Sequence, residues 1–332
     1  MNDSLDATRP RDPSPRARLL WAALAAALLI APATAAAPAA HLPGLPAPPE
    51  PGPGPGPASE ARAAPGPAAR SEAARGPAAA QGGDGFGYQY FTGNGFDTCE
   101  APSQAVMEAW LESPYRAVGV YFGGRGRGCP VQPNLTAHWV ASVHAQGWRL
   151  LPVFVGSQAP CVFAAHKKHV PIGDDPWTQG TEEGVEAVRA AGAIGIGPAS
   201  ALYLDMEAYA LTDRACADTT LLFVRAWNRE VRRQGYLPGF YSSADSGVRH
   251  MEEARKAGVV DLPSVIWFAR WLGAPALYSE SALPLPAWLE HGRVHQYAGN
   301  VRESHGGRTL TIDRNAVDGP VAAVATPTLL AP

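Results

Sequence analysis

Eight short apolar runs between residues 95 and 313 alternate, for the most part, with helix-like runs, and this alternation constrains the fold more than any other feature. The first run ends in Gly95-Phe96-Asp97. The others are Ala117–Phe122, Arg149–Val155, Ala201–Leu204, Leu237–Tyr241, Val265–Ala269, Arg293–Tyr297 and Leu310–Asp313. Helices are expected over Ser103–Glu112, over Asn134–Gln146 with Leu135, Trp139 and Val143 on one face, and over Thr181–Ala191. Two more are expected over Asp218–Gln234, with Asp218 as the cap, and over Ser246–Ala257. The connection from Leu272 to Glu290 is Pro-rich, with one short helix at Ala287–Glu290. Strands separated by helices imply a parallel sheet. Eight of them in roughly 235 residues fit a single α/β domain, a closed (β/α)8 TIM-like barrel. An open doubly wound sheet is the alternative, but no Gly-x-Gly-x-x-Gly opens a helix after the first strand and no P-loop occurs. Gly123-Gly-Arg-Gly-Arg-Gly128 lacks the P-loop Lys-Ser/Thr and reads as a flexible loop.

The two ends of the chain read differently. Residues 1–37 carry Arg9, Arg11, Arg16 and Arg18, then the uncharged run Leu19–Ala31, then the small-residue sites Ala33-Thr34-Ala35 and Ala35-Ala36-Ala37. That order is a secretory signal peptide. No adjacent Arg pair precedes the apolar run, so a twin-Arg route is not indicated. Residues 38–84, with Pro51-Gly-Pro-Gly-Pro-Gly-Pro57, bury too little apolar surface to fold and form a disordered, extended linker. The domain is expected over 85–320 and a flexible tail over 321–332. No second apolar run has membrane length, so no stable membrane insertion is expected once the signal is removed. The chain is expected to be a secreted or cell-wall monomer. No basic face interleaved with aromatics stands out, which argues against nucleic acid.

A barrel of this kind carries its site at the C-terminal ends of its strands. Asp97, Tyr241, Arg270, Trp271, Gln296, Tyr297 and Asp313 all lie there. So do Asp205 and Glu207, two residues apart and therefore on one face if the strand continues, roughly 6.5–7 Å apart at Cα. Closure of the barrel makes Asp97 and Asp313 near neighbours. Paired carboxylates among aromatics suit a saccharide: one acid protonates the leaving oxygen, the other stabilises positive charge or activates water. Crowding raises the pKa of such acids and keeps one protonated near neutral pH.

Gly95-Phe-Asp97, Asp205-Met-Glu207, Gln296-Tyr297 and Ile312-Asp313 resemble, in order and spacing, the pattern of glycoside hydrolase family 25 muramidases. A closer resemblance, over nearly all of 85–320, is to a secreted bacterial glycoside hydrolase-like domain family. It rests on Gly95-Phe-Asp-Thr-Cys99, Ala101-Pro-Ser103, Tyr121-Phe-Gly-Gly124, Leu204-Asp-Met-Glu-Ala-Tyr209, Gly239-Phe-Tyr-Ser242, Ile266-Trp-Phe-Ala-Arg-Trp271 and Ile312-Asp313. The resemblance implies that Glu207 is the general acid. It implies that Asp205 stabilises the oxocarbenium-like transition state or positions the substrate's N-acetyl group. Asp97 and Asp313 would tune that pair and hold the saccharide. Tyr121, Tyr209, Tyr241, Trp267, Arg270, Trp271, Gln296 and Tyr297 complete the expected substrate contacts.

The implied activity is that of an exported cell-wall glycosidase acting on an N-acetylated glycan, peptidoglycan first, without a cofactor. The alternative is a glycan-binding barrel that keeps the site without turnover. Cys99, Cys129, Cys161 and Cys216 make an even count in an exported chain, hence two disulfides with three possible pairings. All four are expected in loops after strands one to four, and neighbouring loops favour Cys99–Cys129 and Cys161–Cys216. Wide spacing without Cys-x-x-Cys speaks against zinc. His166 and His169, flanking Lys167-Lys168, read as solvated rather than as ligands, and His295 as packed outside the barrel.

Overall fold

A computed structural model describes residues 87–271 and 274–325. The expected signal peptide and linker lie outside the described residues, as does the tail from 326. The strands are β1 (Tyr90–Asp97), β2 (Tyr115–Gly123), β3 (Arg149–Phe154), β4 (Ala201–Asp205), β5 (Leu237–Ser243), β6 (Val265–Ala269), β7 (Arg293–His305) and β8 (Arg308–Pro320). They close into one barrel in sequence order. The helices are α1 (Gln104–Ala109), α2 (Ala137–Ala145), α3 (Pro176–Ala193), α4 (Arg214–Arg233) and α5 (Arg249–Lys256), and each follows one of the first five strands. Three caps are set by side chains that satisfy the first free amides: Ser103 for α1, Thr136 for α2 and Asp175 for α3, with Pro176 as the first helical residue of α3. Asp213, not Asp218, caps α4, so that helix starts a turn earlier than its sequence suggests.

The closed eight-strand barrel stands, but the all-parallel sheet does not. β8 runs antiparallel to both β7 and β1. The cause is the pair Gly306-Gly307, both at positive φ (53° and 70°), which makes a two-residue hairpin between β7 and β8. A Cβ on Gly306 would lie 2.4 Å from the carbonyl oxygen of Ala109, so the turn also needs glycine to sit against α1. The short helix expected at Ala287–Glu290 is a series of turns. Val321 and Ala322, expected at the start of a flexible tail, are buried, and Ala322 N donates to the carbonyl of Leu150.

Strand alternation sorts the side chains. Leu202 and Leu204 face the helices, whereas Ala201 and Tyr203 join Ala117, Leu151, Val153, Val265, Trp267, Val294 and Val317 in a separate apolar plug within the barrel. Gly119 makes room in this plug, because a Cβ there would come 2.6 Å from the Cβ of Asp97. Above the plug, the same inward parity places Asp97, Tyr121, Asp205, Tyr241, Gln296 and Asp313 at the open rim.

Both expected disulfides are present, Cys99–Cys129 and Cys161–Cys216, with Cys216 in the first turn of α4 rather than in a loop. They close segments of 30 and 55 residues. Replacing either pair by serine should lower stability by about 3–4 kcal/mol through the freedom returned to the unfolded chain. Urea midpoints of the variants and the parent check this. The Gly123–Gly128 loop, expected to be flexible, is pinned: Gly126 N donates to Val155 O, and Arg125 reaches Ser157 Oγ and the carbonyl of Pro171.

Candidate active site

The end of β4 is clamped by one glutamine. Gln158 donates from Nε2 to the carbonyl of Asp205 (2.9 Å), and its Oε1 accepts from the backbone N–H of Glu207 (2.8 Å). The amide thus brackets Met206, whose own N–H donates to the carbonyl of Tyr241 (3.0 Å). Asp-Met-Glu is held rigid just where the strand ends. The Asp205 side chain is buried, and its Oδ1 has no hydrogen-bond partner in the protein. Glu207 is one-third exposed, with Oε1 3.9 Å from the Lys167 ammonium. Lys167 is itself buried and donates to the carbonyl of Gly126 (2.8 Å).

Across the rim, β1 and β8 register Asp97 directly against Asp313. Gln296 Nε2 lies between the two, 3.1 Å from Asp97 Oδ2 and 3.3 Å from Asp313 Oδ2. Its Oε1 accepts from Tyr241 OH (2.9 Å) and Trp271 Nε1–H (3.0 Å). Two donors on one side and two carboxylates on the other fix the orientation of this amide. Asp97 also accepts from Tyr121 OH (2.7 Å) and Asn315 Nδ2 (2.8 Å), and Asp313 accepts from Asn300 N–H (2.6 Å).

Four carboxyls in so small a space do not all ionise readily. Burial pushes Asp205 up to about 7, and the charges of Glu207 and Asp97 add to it while Lys167 opposes. Asp313 also rises to about 7, from burial and the nearby Asp97 and Glu207, against the Asn300 amide. Burial raises Asp97 too, and its three side-chain donors work the other way. The Tyr121 and Tyr241 hydroxyls are held well above the usual range, first by burial and then by the acids around them, so both stay donors.

A cavity of about 420 Å³ opens over this cluster, lined by Asp97, Tyr121, Asp205, Glu207 and Asp313 among the expected residues. Lys167, His166, Asn300, Thr311 and the Cys99–Cys129 bridge also contribute to the wall. The sequence reading missed Lys167, Gln158, Asn300 and Asn315.

Several expected contacts lie elsewhere. Tyr241 and Gln296 support the acids from beside the cavity. Trp267 is 1% exposed and sits in the plug, with its Nε1–H on Asn315 Oδ1 (2.8 Å). Tyr209 turns away from the cavity, buried, with its hydroxyl 2.8 Å from His250 Nδ1. Tyr297 falls on the opposite face of β7 from Gln296 and borders His295, which itself stacks on Phe268 outside the barrel. Arg270 and Trp271 line a second cleft. His166 and His169 are both exposed. Among the described residues, no group of three or more His, Cys, Asp or Glu side chains is arranged to hold a metal ion.

The structure is a closed eight-strand barrel with carboxyls clustered at one rim. The model of the Rv2525c-like, glycoside hydrolase-like domain matches residues 108–317, and the chain belongs to that family. No curated protein matches the chain. Among solved structures, an uncharacterized B. stearothermophilus protein is similar at 19% identity and TM-score 0.44, over 68% of this chain and 99% of that one. The Tat-secreted protein Rv2525c of Mycobacterium tuberculosis, solved with L-tartrate, is similar at 14% identity and TM-score 0.47, over 68% and 96%. The catalytic domain of endolysin ply40, from bacteriophage P40 of Listeria monocytogenes, is similar at 16% identity and TM-score 0.42, over 68% and 93%.

Proposed function

We propose that this site hydrolyses a glycosidic bond in an N-acetylated glycan, with peptidoglycan as the substrate. The observation that carries the reading is the unlike pair at the end of β4. Asp205 is buried and neither of its carboxyl oxygens accepts a hydrogen bond from the described residues, while Glu207, two residues on, reaches the open cavity. Oδ1 is sealed from the cavity, so Oδ2 is the oxygen left to meet a ligand's polar group there. An acetamido N–H is such a group.

The roles divide by position, with Glu207 at the open cavity and Asp205 behind it at the end of β4. Glu207 gives its proton to the oxygen of the leaving sugar. Asp205 orients the acetamido group, so that its carbonyl oxygen attacks the anomeric carbon, or otherwise stabilises the positive charge that develops there. Glu207, now a base, takes a proton from the water that completes hydrolysis. Asp97 and Asp313, bridged by Gln296, accept hydroxyl hydrogen bonds and keep Asp205's surroundings negative. The place of action follows from the same chemistry. Two disulfides suit an oxidising compartment, and the Arg-bearing, apolar, Ala-x-Ala start of the chain suits export to the cell wall.

Incubation with purified peptidoglycan, followed by mass spectrometry of the soluble fragments, tests the proposal. Fragments ending in a new N-acetylmuramic acid reducing end are expected. No fragment from peptidoglycan or from any other N-acetylated polymer, with the glycan still bound, would leave a binding barrel instead.

Lys167 supplies a separate check. Its ammonium opposes the rise of Asp205. Lys167→Met should therefore move the pH–rate limb set by Asp205 to higher pH. An unmoved limb would mean that Lys167 has no electrostatic part in the site.

A further inference from the structure

We infer that the cleft beside Trp271 is a second saccharide subsite, which binds a neighbouring pyranose ring of the same glycan chain and makes the site one for the interior of a polymer. This rests on the carboxylate cavity being the place of glycan binding.

The cleft, about 300 Å³, lies between the ends of β5 and β6 and is lined by Ser243, Asp245, Ala269, Arg270 and Trp271. Trp271 is 47% exposed, among the few large apolar side chains so open. Its ring is nonetheless fixed. Its Nε1–H is bound to Gln296 Oε1 (3.0 Å), and one edge rests on Gly299, where a Cβ would come 2.3 Å from the indole. An exposed aromatic that loses no freedom on binding is a platform for the C–H face of a pyranose.

Hydroxyl partners stand beside it. Arg270 is anchored on the buried Glu280 (2.6 Å) and bonds both oxygens of Asp245 (2.8 and 2.9 Å). Asp245 is 59% exposed at its side chain, and Arg270 foremost holds its pKa below the usual range; its Oδ1 also accepts from Arg249 (3.0 Å), so the ionised Oδ2, bound once by Arg270, is the acceptor with a lone pair to spare. Ring platform and charged acceptor together are the two elements of sugar recognition.

The link to the first cavity is Gln296. One amide holds Trp271 on one side and Asp97 and Asp313 on the other. A glycan whose ring sits over the carboxyls therefore extends across Gln296 onto the indole.

The test uses β-1,4-linked N-acetylglucosamine oligomers of increasing length. They are titrated calorimetrically into the full chain carrying Glu207→Gln, then into the same chain with Trp271→Ala, Trp271→Phe or Gly299→Val added. Affinity should rise about tenfold from the shortest to the longest oligomer. Trp271→Ala should abolish that rise and Trp271→Phe should keep most of it. Gly299→Val, which lifts the ring from its seat without removing it, should reproduce the loss. An undiminished rise in both Trp271→Ala and Gly299→Val overturns the second subsite and leaves the first cavity's role intact. Absence of binding at every length in the parent overturns both.

Discussion

Glu207→Gln should reduce glycan cleavage by about a thousandfold or more, a loss near 4 kcal/mol of transition-state stabilisation, while glycan binding and melting temperature stay close to the parent. The substitution keeps the shape and polar edge of the side chain and takes away the proton it can donate. The backbone at 207 is held by Gln158 through the main-chain N–H, so the position does not depend on the carboxyl. The side chain is one-third exposed, and its ion pair with Lys167, at 3.9 Å, is loose. An amide there leaves no isolated buried charge apart from Lys167, which keeps its bond to Gly126 O. Initial rates of reducing-end release and thermal melts on the same preparations check both halves of the prediction.

Asp205→Asn should act in opposite directions on stability and activity. Asp205 rises from 3.8 to about 7 in the folded chain, mainly through burial. For an acid whose folded pKa is raised, the native state binds the proton more tightly than the unfolded chain. Its contribution is therefore most favourable below about pH 4 and declines as pH climbs through 7. At pH 8 the parent holds a buried, partnerless carboxylate. Asparagine removes that charge and should raise stability by about 2 kcal/mol, or roughly 5 °C in melting temperature for a domain of this size. The gain should fade toward pH 4, where the parent's carboxyl is protonated when folded. Turnover should fall by about a hundredfold or more, because the amide cannot stabilise the charge that develops on the sugar. A melting temperature at pH 8 that is unchanged or lower would show that Asp205 is not strained by burial.

These opposite effects mark what was readable in the chain. The barrel and the acids Asp97, Asp205 and Asp313 were legible because strand alternation and strand ends are local signals. Phe96 packs against Trp110 and Trp148 in the outer core and Asp97 faces the barrel; Leu204 faces the helices and Asp205 the cavity. The same parity shows why Gln296 and Tyr297 do not both reach the site, since adjacent strand residues point to opposite faces. Trp267 has the right parity but lies one layer too deep. Tyr209 shares a motif with the acids, yet the chain leaves the strand at Asp205 and pairs at Tyr209 with Val162. The direction of β8 was available in Gly306-Gly307, a hairpin signal. The dozen residues between the expected seventh and eighth strands are also at the lower limit for a parallel crossover. Lys167 and Gln158 were not available. Both lie in the stretch between β3 and α3, which has no periodicity, and their roles come from carbonyls of distant segments, Gly126 and Asp205.

The most direct test of the central claim is the rate of reducing-end release from purified peptidoglycan, measured side by side for the parent chain and for Glu207→Gln, with co-sedimentation recorded for both. Release by the parent, its loss in the variant, and glycan binding by each are expected. Equal release by the two proteins would contradict Glu207 as the acid, and binding without release by the parent would contradict hydrolysis of this glycan.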